Sequence, residues 1–161
     1  MHTKPLKVAG LVSLIMGILF VLTGAVTWGV VSSQLAAERI TVPQDAAFSA
    51  GAKVQGPISA LAQADTINKH ALAGSNGMTY AELGAAATQA RNAGDTAKAD
   101  ELTKQRTTVM NGSFLRASLF TSVLSFGVCL FAIGVGLTLI VIGWALNRAA
   151  SSVPATATVR T

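Results

Sequence analysis

Few residues in this chain are equipped for chemistry. Two histidines, His2 and His70, one cysteine, Cys129, and seven carboxylates confined between Glu38 and Glu101 are the groups from which a nucleophile, an acid, a base or a metal ligand could be drawn. Asp65, His70 and Ser75 have the residue types of a nucleophilic arrangement, in which the imidazole would take a proton from the hydroxyl and the carboxylate would orient the ring. The same stretch, DTINKH, reads more simply as a solvated helix face on which Asp65 and Lys69 pair at i, i+4. A single cysteine excludes an intramolecular disulfide and a cysteine-based zinc site. No glycine-rich loop joins a strand pattern to a helix pattern, so the glycines are not phosphate cradles. No catalytic, cofactor-binding or metal-ligating residue is expected, and the chain reads as a non-enzyme.

The elements that would have to position such groups are set by composition. Of 161 residues, 51% are hydrophobic and only 12% charged, where a soluble domain carries roughly a quarter charged. The apolar residues concentrate in residues 8–31 and 115–146, and each run exceeds the roughly 20 residues that cross a bilayer. The first has the basic preface Lys4 and Lys7, as a signal peptide would, but it outlasts the usual apolar region of about 7 to 15 residues and reads as a retained signal anchor. The formal charge of +5 is no nucleic-acid signal. Acidic and basic residues balance between the apolar runs, and the excess lies at Lys4, Lys7, Arg116, Arg148 and Arg160.

Basic, acid-free tails place both termini in the cytoplasm by the positive-inside rule. The expected organisation is a cytoplasmic tail at 1–7, a transmembrane helix at 8–31, an extracytoplasmic helical segment at 32–112, a second transmembrane helix at 113–146 and a flexible cytoplasmic tail at 147–161. This is an all-α protein of the plasma membrane, an antiparallel two-helix transmembrane hairpin with a helical segment between the spans. Trp28 and Trp144 fall at belt positions. On this topology His2 and His70 lie on opposite sides of the membrane.

Glycine recurs every seven residues in the first run, at Gly10, Gly17 and Gly24, and with Ser13 and Phe20 it makes a face of mostly small residues. In the second run Ser125, Cys129, Ala132, Gly136, Leu139 and Gly143 make another. Helices in lipid associate through close van der Waals contact, which small side chains permit, so the two stripes are expected to pack on each other. Pairing with other copies or partners, and mere small-residue abundance, are the alternatives. Aligning the span ends sets Phe20 opposite Ala132 and Leu139 opposite Ser13. The seven-residue period implies a left-handed crossing near +20°.

Between the spans, Pro57 and Gly74 bracket a helix over about 58–73, Thr79 and Glu82 form a capping-box pattern, and Asp95 can cap a third helix leading toward the second span. Pro43 stops the projecting end of the first helix. Alanine is abundant here, and large apolar residues such as Phe48, Tyr80 and Leu83 have few evident counterparts. The segment is therefore expected to lean on the projecting span ends, on a second copy or on a partner.

The stretches SSQLAAERITVPQDA, AQADTINKHAL, TYAEL and SFLRASLFTSV resemble, in that order, a family of small actinobacterial two-span membrane proteins often labelled aromatic ring-opening dioxygenase. That name belongs to soluble enzymes holding iron with two histidines and a carboxylate, a ligand set this sequence does not supply. The resemblance implies an envelope location and the two-span plan, with no functional residues to carry over. The expected role is an accessory, anchoring or scaffolding component of the cell envelope, with the lipid bilayer and an envelope protein or a second copy as partners. A self-associating oligomer that forms or lines a pore is the alternative.

Overall fold

The structure, a computed structural model, describes residues 4–152; His2 and the chain beyond Ser152, including Arg160, lie outside the described residues. The described residues contain four α-helices, α1 (Lys4–Ala37), α2 (Pro57–Gly74), α3 (Tyr80–Asn92) and α4 (Thr96–Ser152). Among the described residues there is no strand, only one isolated antiparallel bridge between Thr41 and Lys53. At 1.5 Å per residue the 34 residues of α1 extend about 51 Å and the 57 of α4 about 85 Å. Both helices are long and apolar enough to cross a membrane.

Local chemistry explains the shorter elements. Proline opens α2, where its missing N–H costs nothing, and the Ser59 hydroxyl accepts from the Gly56 and Gln55 amides at 3.2 Å each. The helix closes where the Gly77 amide, at φ +80°, donates to the Leu72 carbonyl at 2.7 Å. Thr79 and Glu82 form the expected box: the Thr79 amide donates to the Glu82 carboxylate at 2.7 Å, and the Glu82 amide to the Thr79 hydroxyl at 3.4 Å. Asp95 caps α4 by accepting from the Lys98 amide at 2.9 Å. The segment from Thr96 then continues without interruption through Asn111, Gly112 and Ser113, and α4 is still helical at Ser152, beyond the expected span end at Leu146.

The chain divides into two compact units, and the division runs through both long helices. The terminal unit holds residues 4–30 and 127–152; the central unit holds Val31–Phe126.

In the terminal unit, the two helix segments meet through glycine. A methyl group placed on Gly10 would lie 2.9 Å from the Gly143 carbonyl oxygen, one on Gly17 2.6 Å from that of Gly136, and one on Gly24 3.0 Å from that of Cys129. The reverse holds too: a methyl on Gly136 would meet the Gly17 carbonyl at 2.7 Å, and one on Gly143 that of Gly10 at 2.6 Å. The contacts run in opposite chain directions. Large side chains flank the glycines, Leu14 against Gly143, Val21 against Gly136, Ile140 against Gly17 and Ile133 against Gly24. Away from this seam the surface is apolar and open: Leu22, Val26, Phe131 and Val141 are all more than half exposed. Only 17% of the apolar stretch of α1 and 22% of that of α4 is buried.

In the central unit, Leu83 and Ala87 of α3 pack with Leu102 and Val109 of α4, flanked by Met78, Ala86 and Ala90. This corrects the expectation that Leu83 lacks counterparts: it is wholly buried, and its partners are apolar positions seven apart on the polar-looking start of α4. Phe48 and Tyr80 are each 40% exposed. Alanine serves close approach here; a methyl on Gly112 of α4 would lie 3.2 Å from Ala71 Cβ and 3.6 Å from Ile67 Cγ2 of α2.

Gly17→Leu or Gly136→Leu should force the two backbones apart and lower unfolding stability by about 1 to 3 kcal/mol, as overpacking does in cores. Gly134, which has nothing within 4 Å, supplies the contrast: Gly134→Ala should be neutral or gain up to about 1 kcal/mol of helix propensity. Unfolding of the detergent-solubilised variants measures both; equal losses at Gly17 and Gly134 would mean that the close contact is absent.

Candidate functional site

Of the residues expected on the helix-packing face, Gly10, Gly17, Gly24, Cys129, Gly136 and Gly143 are buried, Ser13, Ser125, Ala132 and Leu139 are half-buried, and Phe20 is exposed at 38%. The glycine pairs Gly10–Gly143 and Gly17–Gly136 put Phe20 level with the Ala132–Ile133 turn of α4, with Phe20 still 38% exposed. The large residues facing the glycines of α4 are Leu14 and Val21, four residues after Gly10 and Gly17 rather than three. On α4 the corresponding flank is Ile133 and Ile140, where the expected stripe had Ala132 and Leu139. Asn147 completes this face, its side-chain amide donating to the Gly143 carbonyl at 2.9 Å and lying where a methyl on Gly10 would clash at 2.8 Å.

The nucleophilic arrangement is not assembled. Ser75 is buried, and its hydroxyl bonds to the carbonyls of Leu72 at 3.1 Å and Met78 at 2.6 Å, which makes it a turn-former. His70 turns to Asp45 of the loop between α1 and α2, with Nε2 2.7 Å from Oδ2. A carboxylate only accepts, so Nε2 carries the proton. Lys69 joins the same carboxylate at 3.3 Å and donates to the Asp45 carbonyl at 3.1 Å, so the pair expected with Asp65 is made instead with a residue 24 positions away. All three side chains are at least half exposed, and their effect is to tie the loop to α2. Among the described residues no group of three or more His, Cys, Asp or Glu is placed to hold a metal ion.

Two further polar features lie in the central unit. Arg106 of α4 lies over the Tyr80 ring, its guanidinium carbon 4.0 Å from the centroid; Gly84, one turn on, leaves it room, since a methyl there would stand 3.1 Å from Nε. Sequence reading missed this clamp, although Tyr80 and Gly84 at i, i+4 are the signal for it. The second is the loop after α1. The Val54 amide donates to the Ile40 carbonyl and the Val42 amide to the Ala52 carbonyl, both at 2.9 Å, with Val42 and Val54 buried beneath. This short antiparallel pairing holds Lys53 opposite Thr41, beside Arg39 and a cavity of about 330 Å³.

Comparison with known proteins finds no matching family model, curated protein or solved structure. The resemblance to two-span actinobacterial proteins thus rests on its sequence motifs alone.

The His70 hydrogen bond, ahead of that from Lys69, holds the Asp45 carboxyl below its usual value of 3.8. A lowered carboxyl pKa adds stability that is complete above the unfolded value and is lost as pH falls below it. The protection factors of the Val42 and Val54 amides, exchange rates taken relative to the free peptide at each pH, should therefore hold down to about pH 4 and fall below it. Asp45→Asn should quicken exchange at neutral pH and flatten that acid response; identical profiles for variant and parent would mean that the tie does not hold the loop.

Proposed function

We propose that the chain is a two-span protein of the plasma membrane, an antiparallel transmembrane hairpin with both termini cytoplasmic and residues 32–112 outside. In this reading it is a non-enzymatic accessory, anchoring or scaffolding component of the cell envelope, and its extracytoplasmic segment engages another envelope protein. The observation that carries the reading is the glycine seam. Backbone contact at Gly17 and Gly136, with Leu, Ile, Val and Phe turned outward, suits helices whose solvent is lipid, where close packing replaces the hydrophobic effect as the cause of association. In water the same outward surface would cost roughly 25 cal/mol for each Å² of apolar area. Support at the inner end comes from Arg148, whose guanidinium carbon lies 5.4 Å from the Trp144 ring centroid, a pairing of cation and indole suited to a membrane interface. The order of the segment supports a recognition role, since its caps, loop tie and Arg106–Tyr80 clamp fix a definite surface. The family resemblance agrees with this location.

One observation favours the second reading, a self-associating oligomer that forms or lines a pore. Gly127 and Gly134 of α4 have open space before them, and Phe131, Gly134, Val135, Thr138 and Leu139 line a shallow groove of about 450 Å³ in which a further helix could lie. Crosslinking in native membranes separates the two: a ladder of identical copies supports the oligomer, and adducts of other mass support the accessory role.

The topology is tested with single cysteines in a Cys129→Ala background. Gln89→Cys, exposed on α3, should react with an impermeant maleimide in intact cells; Ser151→Cys, exposed on α4, should react only after permeabilisation. The reverse pattern would invert the orientation, and loss of the protein to an alkaline wash of the membranes would remove the spans.

A further inference from the structure

The cavity of about 330 Å³ beside the end of α1 is lined by Ala36, Arg39, Ile40, Thr41, Lys53 and Val54. We infer that it is a binding site for a phosphate-bearing anion, and that its occupant is the headgroup of an anionic phospholipid in the outer leaflet. The lining contains two cations and a hydroxyl and no carboxylate. The ion pairs among the described residues lie elsewhere, at Asp45 with Lys69 and His70 and at Lys98 with Glu101, which leaves both cations of the cavity without an acidic partner.

Two features of the backbone argue that these cations are placed rather than incidental. Arg39 follows α1 at φ +54°, the left-handed conformation that usually falls to glycine at a helix end; its amide donates to the Ala36 carbonyl at 3.1 Å, closing the turn. A side chain at that position costs stability that glycine would not, yet the residue is arginine. Lys53 is held by the bridge to Thr41 and by the Val54 to Ile40 hydrogen bond beside it, with Val54 itself 1% exposed. Both cations thus spring from fixed backbone at the cavity wall. The carbonyl end of α1 carries roughly half a negative charge, which two full cations outweigh. Arginine adds a planar fork of donors matched to phosphate oxygens.

Size and depth name the occupant. A volume of about 330 Å³ is at the low end for ligand sites, suited to a headgroup and not to a whole lipid. Ala36 lies five residues beyond Val31 on one continuous helix, a rise of about 7.5 Å. The headgroup zone adds about 5 to 7 Å to each side of the hydrocarbon core, so the cavity stands at the outer edge of that zone, where the long side chains of Arg39 and Lys53 reach back toward lipid phosphates. Ala36, Ile40 and Val54 give it an apolar wall on which glycerol carbons can rest. The depth argument rests on the membrane reading above; the charge argument does not.

The test uses the full chain in two settings. In nanodiscs of phosphatidylcholine and phosphatidylglycerol, native mass spectrometry should find phosphatidylglycerol retained at least tenfold over its share of the bilayer. The double variant Arg39→Gly, Lys53→Gln should lose that enrichment while melting no lower than the parent, because glycine suits the left-handed position. In detergent without added lipid, inorganic phosphate and glycerol phosphate are titrated by thermal shift. Stabilisation there that depends on Arg39 and Lys53, without lipid enrichment in the discs, supports the anion site and assigns it to a soluble phosphate. No dependence on the two cations in either setting overturns the proposal. Failure to enter discs at all would count against the membrane reading, and the detergent titration would still decide the anion site.

Discussion

Backbone meets backbone at three levels of the terminal unit, where Gly10, Gly17 and Gly24 face Gly143, Gly136 and Cys129, and no side chain larger than hydrogen fits at the glycines without moving something. Glycine is a poor helix former, costing up to about 1 kcal/mol against alanine, so five of them in one seam need a compensating gain. Close approach supplies it. Bringing two helices to within a carbonyl's reach lets Leu14, Val21, Ile133 and Ile140 fold over the contact from both sides, adding many small dispersion terms that are individually weak and collectively large. The seven-residue recurrence keeps the seam on one side of both helices as they run past each other.

The central unit uses the same device in a polar setting. Its helices are short of large apolar residues, and the contact of Gly112 with Ala71 and Ile67 draws α2 close to α4. The small cluster of Leu83, Ala87, Leu102 and Val109 provides a core, while hydrogen-bonded caps, the Arg106 stack on Tyr80 and the tie from Asp45 to Lys69 and His70 fix the surface. Placing Arg39 in a left-handed turn and Lys53 across a bridge from Thr41 is a further consequence of that order. The same restraints that make a thin core tolerable also give the unit a defined surface.

Much of this was readable from local sequence. Pro57, Thr79 with Glu82, and Asp95 announce helix starts because capping chemistry acts within three or four residues, and the glycine period is visible without any partner. What escaped was what depends on distant residues or on a choice between near-equal helix flanks. Phe20 at i+3 from Gly17 and Val21 at i+4 border the same glycine; only the packed pair decides that Val21 turns inward. Asp45 and Lys69 are 24 residues apart, so nothing local announces their pairing. Leu83 looked unpartnered because Leu102 and Val109 sit among charged and polar neighbours on what reads as a solvated helix. The loop pairing of Ile40 with Val54 was hidden for a different reason: it is too short for a strand pattern to build up.

The most direct test of the seam uses the native Cys129, buried beside Gly24. Single cysteines placed in turn at residues 18–30, Gly24 excepted because no side chain fits there, and oxidised in native membranes should crosslink to Cys129 most strongly at the half-buried Val21 and Trp28. Yield should fall to background at Leu22 and Val26, which face outward. A maximum at Leu22 or Val26, or crosslinks formed only between separate copies of the chain, would contradict the account.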